Sequence, residues 1–155
     1  MGDGLLMESR LGDVLVQRGV LNAGQVDRVV AEQTRTGEPF GVLCEKLYDV
    51  DPRDVEAAWG EQYARLTMRV EPQGEDFDQA ILGLLDRRQA WQFGCIPVRW
   101  DGTEVMVVTT EANLVRAHRF CTKYIAHPVF LVLCEPEDLQ TALERWYPLP
   151  GAAAA

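Results

Sequence analysis

Residues 10–33, RLGDVLVQRGVLNAGQVDRVVAEQ, and residues 39–62, PFGVLCEKLYDVDPRDVEAAWGEQ, are two versions of one 24-residue pattern set 29 positions apart. Gly12 recurs as Gly41, Val26 as Val55 and Gln33 as Gln62, while Asn22 becomes Asp51 and Val30 becomes Trp59. A five-residue spacer, Thr34 to Glu38, joins the copies. In the first copy Leu11, Val14 and Leu15 make a short apolar stripe that stops at Arg18-Gly19, a helix-ending signal. Asn22 with Gln25 three residues on has the form of a capping box, and Val26, Val29, Val30 and Gln33 continue at helical spacing. The second copy repeats the plan with Phe40, Leu43, Cys44 and Leu47. Asp51-Pro52 then opens a stripe of Val55, Ala58, Trp59 and Gln62. The first half, residues 1–66, therefore reads as four helices in two repeated hairpins. Such a duplication serves either a stacked helical scaffold or a site for a two-fold symmetric ligand.

Outward from the repeat, the pattern changes. Leu66 to Val70 has strand character, and Glu71-Pro72-Gln73-Gly74 breaks it. A helix is predicted over Phe77 to Leu85, and another from the cap Asp86 to Phe93, closed by Gly94. Strands follow at Ile96 to Trp100 and Glu104 to Thr110 around an Asp101-Gly102 turn. A helix over Asn113 to Thr122, a strand at Val129 to Leu133 and a helix from Glu135-Pro136 to Trp146 complete the order. The prediction is an α+β chain: the helical subdomain, then residues 67–147 as a small α/β sandwich with a three- to four-stranded sheet. Residues 148–155 are expected to form a disordered tail.

With 24 acidic against 15 basic residues the net charge is −9. That balance opposes binding of a nucleic-acid polymer, whose phosphates need a basic face. No stretch is long and apolar enough for a membrane span, and Leu5-Leu6-Met7 is too short for a signal peptide. The expected location is the cytoplasm, without direct membrane insertion. The four cysteines, Cys44, Cys95, Cys121 and Cys134, form no C-x-x-C pair, and only His118 and His127 could join them. No metal site is expected, and buried, reduced thiols are the simple reading. Phosphate-loop, dinucleotide-binding, metalloprotease and serine-hydrolase signatures are absent. Neither histidine belongs to a triad-like pattern, so no catalytic residue is assigned and no cofactor is required. Trp91 and Trp100 are expected in the core, whereas Trp146 and Tyr147, next to the tail, are the candidate partner interface. Glu135 to Asp138 reads as a solvated helix start favoured by the helix dipole.

The tandem unit, the run Arg87-Arg88 to Phe93-Gly94-Cys95-Ile96-Pro97-Val98 and the closing Pro136-Glu137-Asp138-Leu139 to Trp146-Tyr147 resemble one family. It is the N-terminal domain of type II secretion and type IV pilus assembly ATPases, the GspE/MshE N-terminal domain. Members with intact motifs bind cyclic di-GMP through tandem 24-residue units. Each such unit begins Arg-Leu-Gly, has a second glycine seven residues after the first and ends in Gln. The resemblance implies Arg10, Leu11, Gly12, Leu15, Gly19 and Gln33, with Gly41 and Gln62 from the second copy, as ligand-binding residues. Glycines would admit the ligand to the backbone, and an arginine would stack on a guanine or donate to its edge. The alternative for the same residues is hairpin packing: Gly19 a cap, Leu11 and Leu15 core, Arg10 a solvated charge.

The second copy departs from the family where it matters. Pro39 stands for Arg10, Phe40 for Leu11, Cys44-Glu45 for Leu15-Val16, Tyr48 for Gly19 and Asp49 for Val20. A carboxylate beside a bound phosphate costs on the order of 1 kcal/mol or more. The leading expectation is a stand-alone, non-catalytic adaptor acting by protein–protein contact. The resemblance implies as its partner the ATPase motor, on another polypeptide, or an inner-membrane platform protein that recruits the chain to the inner face of the membrane. The runner-up is a cyclic di-GMP receptor built on residues 10–33 and the degenerate copy.

Overall fold

The computed structural model describes residues 11–150, which divide into two compact units between Arg65 and Leu66. The protein is α+β.

The first unit has four helices: α1 (residues 11–17 of those described), α2 (Ala23–Thr36), α3 (Phe40–Tyr48) and α4 (Pro52–Leu66). The capping box forms as the sequence specifies. The Gln25 N–H donates to Asn22 Oδ1 at 2.9 Å, and the Asn22 N–H donates to Gln25 Oε1 at 2.8 Å. This satisfies donors that the first turn of a helix leaves open. Gly37, at φ 75°, ends α2.

The unit's hydrophobic cluster consists of repeat-equivalent residues. Its ten buried side chains are Leu11/Phe40, Val14/Leu43, Leu15/Cys44, Leu21/Val50 and Val29/Ala58. Each pair is 29 residues apart, and within the cluster no member lacks its counterpart; buried Gln62 and Ala64 lie outside it, and their counterparts Gln33 and Arg35 are not buried. Side-chain size is traded between the copies. The second is larger at Phe40 and Leu43 and smaller at Cys44, Val50 and Ala58, a compensation that close packing demands.

The second unit begins with an extended segment. The Val70 N–H donates to the Leu133 carbonyl at 2.8 Å and the Leu133 N–H to the Met68 carbonyl at 3.0 Å. A single bridge, Arg69 to Leu133, results instead of the strand expected at 66–70. Helix α4 retains Leu66, and the 3-10 turn Pro72–Gly74 leads the chain away. The helix expected over 77–85 contracts to α5 (Gln79–Leu82), capped by Asp78 and ended at Gly83. Helix α6 (Arg87–Phe93) has a second capping box, Asp86 with Gln89, and stops at left-handed Gly94.

Strands β1 (Cys95–Asp101) and β2 (Glu104–Thr109) form an antiparallel hairpin; Asp101 pairs with Glu104 and Gly102 takes φ 63° in the turn. Helix α7 (Leu114–Tyr124) crosses to β3 (Val129–Leu133), which lies parallel to β2, and α8 (Pro136–Trp146) closes the unit. The sheet order is β1-β2-β3. Residues Val105 to Thr109 of the middle strand are all buried, so both sheet faces are covered. One face places Ile96, Val98, Met106, Val108 and Val132 with Leu82, Ala90, Leu139, Ala142 and Leu143. On the other side Cys95 Sγ lies 3.9 Å from Cys121 Sγ of α7, and Phe93 stacks on Phe120 at 4.0 Å.

Candidate functional site

The repeated glycines lie where helices cross. A Cβ on Gly12 would stand 2.6 Å from Val26 Cγ1, and one on Gly41 would stand 2.9 Å from Val55 Cγ1. Both contacts join the first helix of a hairpin to its second, and both pairs are retained identities of the repeat. Of the other residues proposed as ligand-binding, Leu11 and Leu15 are core side chains, and Gln62 is buried. Gly19 is exposed in a left-handed turn at φ 75° with open space around it. Gln33 is half-buried, and its Oε1 is a buried acceptor without a hydrogen-bond partner. Arg10 lies outside the described residues. Leu11, Gly12, Leu15 and Gly41 thus stand in packing contacts, and Gly19 and part of Gln33 lie at the surface.

The two turns share a hydrogen-bond register but differ in shape. The Leu15 carbonyl accepts from Val20 N at 2.9 Å and Leu21 N at 3.4 Å. The Cys44 carbonyl accepts from Asp49 N and from Val50 N, the latter at 3.4 Å. In the first copy the left-handed residue is Gly19; in the second it is Asp49, at φ 52°, one place beyond the glycine's counterpart Tyr48. Aspartate is among the few side chains that enter this region readily, so Tyr48 needs no glycine conformation. Its ring lies under the Arg28 guanidinium, 5.6 Å from the centroid. A cation and an arene of the chain itself occupy the place that is open beside Gly19.

A groove remains on the first copy. It lies between α1 and α2, has a volume of about 470 Å³, and is floored by Val16, Val26 and Val30 with Asp13 and Asp27 at its edges. At the equivalent positions the second copy carries Glu45 for Val16, Lys46 for Gln17 and Trp59 for Val30. The groove is therefore a feature of one copy only in its chemistry. Among the described residues neither Asp13 nor Asp27 has an ion-pair partner, whereas every basic side chain of this unit is engaged. Arg18 and Arg65 pair with Glu61, Arg35 with Glu32, Lys46 with Glu38, Arg53 with Asp51, and Arg28 covers Tyr48. The hydrogen bond from Arg35 holds the Glu32 carboxyl below its ordinary range, and that from Arg53 does the same for Asp51.

In the second unit the expected interface separates into two different residues. Tyr147 is only 7% exposed; its hydroxyl donates to the Leu82 carbonyl, and its own carbonyl accepts from Trp91 Nε1 at 2.7 Å. It is core, because the chain folds back beyond α8, with Arg87 donating to the Pro148 carbonyl at 3.2 Å. Pro148 to Pro150, expected in a disordered tail, are described; residues 151–155 are not. Trp146 is half-buried against Phe77 and under Arg145, beside a cleft of about 120 Å³. Trp100, expected in the core, is 43% exposed at the hairpin end of β1, edge-on to His127. The alternation of β1 gave no warning of this, since the register shifts between Pro97 and Arg99. Among the described residues no cluster of three His, Cys, Asp or Glu could hold a metal ion, and no helix is long and apolar enough to cross a membrane.

Comparison with known proteins places the chain. Its fold is similar to that of MshE with cdg, at 18% identity over 89% of this chain and 99% of that one, with a TM-score of 0.48. It is also similar to the N-terminal domain of XpsE in crystal form I4122, at 21% identity over 90% and 96%, with a TM-score of 0.46. No curated protein matches the sequence. The MshEN domain model matches residues 60–153, more than half of the chain, and covers the α/β unit rather than the tandem repeat. The repeat pointed toward the GspE/MshE N-terminal domains and the second unit carries the match: the chain belongs to the MshEN domain family.

Proposed function

We propose that this protein is a non-catalytic interaction module that acts by protein–protein contact, with the α1–α2 groove as its contact face. The observation that carries the reading is the chemistry of that groove: an apolar floor edged by two carboxylates that have no ion-pair partner among the described residues. A dianionic dinucleotide would bring its phosphates toward carboxylates and find no disengaged cation among residues 11–65, an arrangement that opposes binding. A protein segment meets the same surface with apolar side chains and compensating positive charge. Family membership supports as partner the ATPase motor or the inner-membrane platform protein of a secretion or pilus machine, which would also bring the chain to the membrane's inner face. Val16 is 38% exposed, so Val16→Glu alters the face without opening the core. Capture of purified motor and platform proteins should weaken at least tenfold with that variant, or about 1.4 kcal/mol. Undiminished capture of a bound partner by Val16→Glu, or capture of neither protein by the wild type, would overturn the reading.

One observation favours cyclic di-GMP as a ligand instead: the buried, unpartnered Gln33 Oε1, an acceptor that a guanine amino group could satisfy. Calorimetry with cyclic di-GMP separates the two. The interaction-module reading expects millimolar affinity or none; micromolar binding abolished by Arg10→Ala would establish the receptor.

A further inference from the structure

We infer that the occupant of the α1–α2 groove is an amphipathic helix of a partner chain with basic residues flanking its apolar stripe. The inference rests on the contact-face reading above and names the chemistry of what docks there. Ala23, Val26, Asp27 and Val30 stand at i, i+3, i+4 and i+7 on α2, and Asp13, Val16 and Gln17 at i, i+3 and i+4 on α1. Two such rows on neighbouring helices make the furrow into which the side-chain ridge of a third helix seats. The α2 row runs along about two turns, or some 11 Å of helix axis, a length that asks for a continuous helical stripe rather than one inserted side chain.

Charge selects the sign of the flanks. Residues 11–65 hold ten acidic and six basic side chains. The six basic ones are engaged, while among the described residues Asp13 and Asp27 at the groove have no ion-pair partner. Lysine or arginine beside the apolar stripe of the incoming helix would complete both. A second copy of this chain is a poor occupant, because each copy carries a net charge of −9. The degenerate copy limits the stoichiometry to one helix per chain. Trp59 stands where Val30 helps floor the groove, and Glu45 and Lys46 replace Val16 and Gln17.

The probe is a fluorescein-labelled synthetic helix of leucine and lysine, about four turns long, read by anisotropy at about 0.15 M salt, where surface charges act only over about 8 Å. Two controls accompany it: the leucine–glutamate counterpart, and a leucine–lysine peptide of the same length broken by two prolines. The full chain should bind the leucine–lysine helix saturably at one site and at least tenfold more tightly than either control. The double variant Asp13→Lys/Asp27→Lys should reverse the preference toward the leucine–glutamate helix. Amide shifts on binding should centre on residues 11–33. An unchanged preference in the double variant, equal binding of the proline-broken peptide, or shifts centred on the α/β unit would overturn the proposal. The two readings fail separately. If the peptide preferences fail while Val16→Glu still releases the motor or platform protein, the occupant is wrong and the contact face stands. If Val16→Glu releases nothing, the contact face itself is wrong.

Discussion

At Gly12 the absent side chain is what the fold requires. A methyl group there would enter the space of Val26 Cγ1, and the same clash, slightly relieved, faces Gly41 and Val55. Overpacking of this kind destabilises by about 1–3 kcal/mol. Gly12→Ala should therefore lose stability in urea denaturation, with a smaller loss for Gly41→Ala. In a Val26→Ala background the Gly12→Ala penalty should shrink; an undiminished penalty would trace it to the backbone instead of to the clash. The glycines and valines were legible in the sequence as a repeat but not as a contact. A pattern that recurs every 29 residues says that two positions do the same thing without saying what. Leu11 and Leu15 had the same ambiguity in the sequence, and the structure places both among buried side chains. Trp100 and Tyr147 were misplaced for a simpler reason: exposure at a strand end and burial just after a helix depend on the rest of the fold, which local pattern does not record.

Elements were more legible than residues. Both capping boxes, Asn22 with Gln25 and Asp86 with Gln89, form as the side chains dictate, and the terminal αβα order follows hydrophobic periodicity and turn residues. The end of α3 was not legible. Spacing placed the glycine's counterpart at Tyr48, yet the left-handed residue is Asp49. Asp49→Val would restore the residue of the first copy at this position, and it should destabilise by about 1–2 kcal/mol, because a β-branched side chain is poorly accommodated at positive φ. Thermal unfolding of Asp49→Val beside Asp49→Gly tests this, since glycine removes the strain while making the same charge change. Equal loss in both variants would assign the effect to the lost carboxylate.

Across the whole molecule the four free thiols are buried, one in the helical core and three in the α/β unit. Burial pushes the Cys44 thiol up to about 11 and the Cys134 thiol to about 12, from an ordinary value of 9.0. Both raised values favour the neutral thiol in the folded state. Their contribution is complete below pH 9 and is lost as pH rises toward 11 to 12. Native protein at pH 8 should therefore resist iodoacetamide at all four cysteines, unfolded protein should take up four equivalents, and melting temperature should fall above pH 9. Rapid alkylation of Cys44 in the native state would contradict the burial. The paired core of the helical unit has a consequence for the history of the chain. Because the ten buried positions of the two copies share one core, enlargement at Phe40 and Leu43 and shrinkage at Cys44, Val50 and Ala58 belong to a single adjustment. Overwriting the second copy with the first would restore textual symmetry and ruin the fit. The divergence of the two halves acts as a ratchet, and the chain keeps its duplicated shape by no longer being a duplicate.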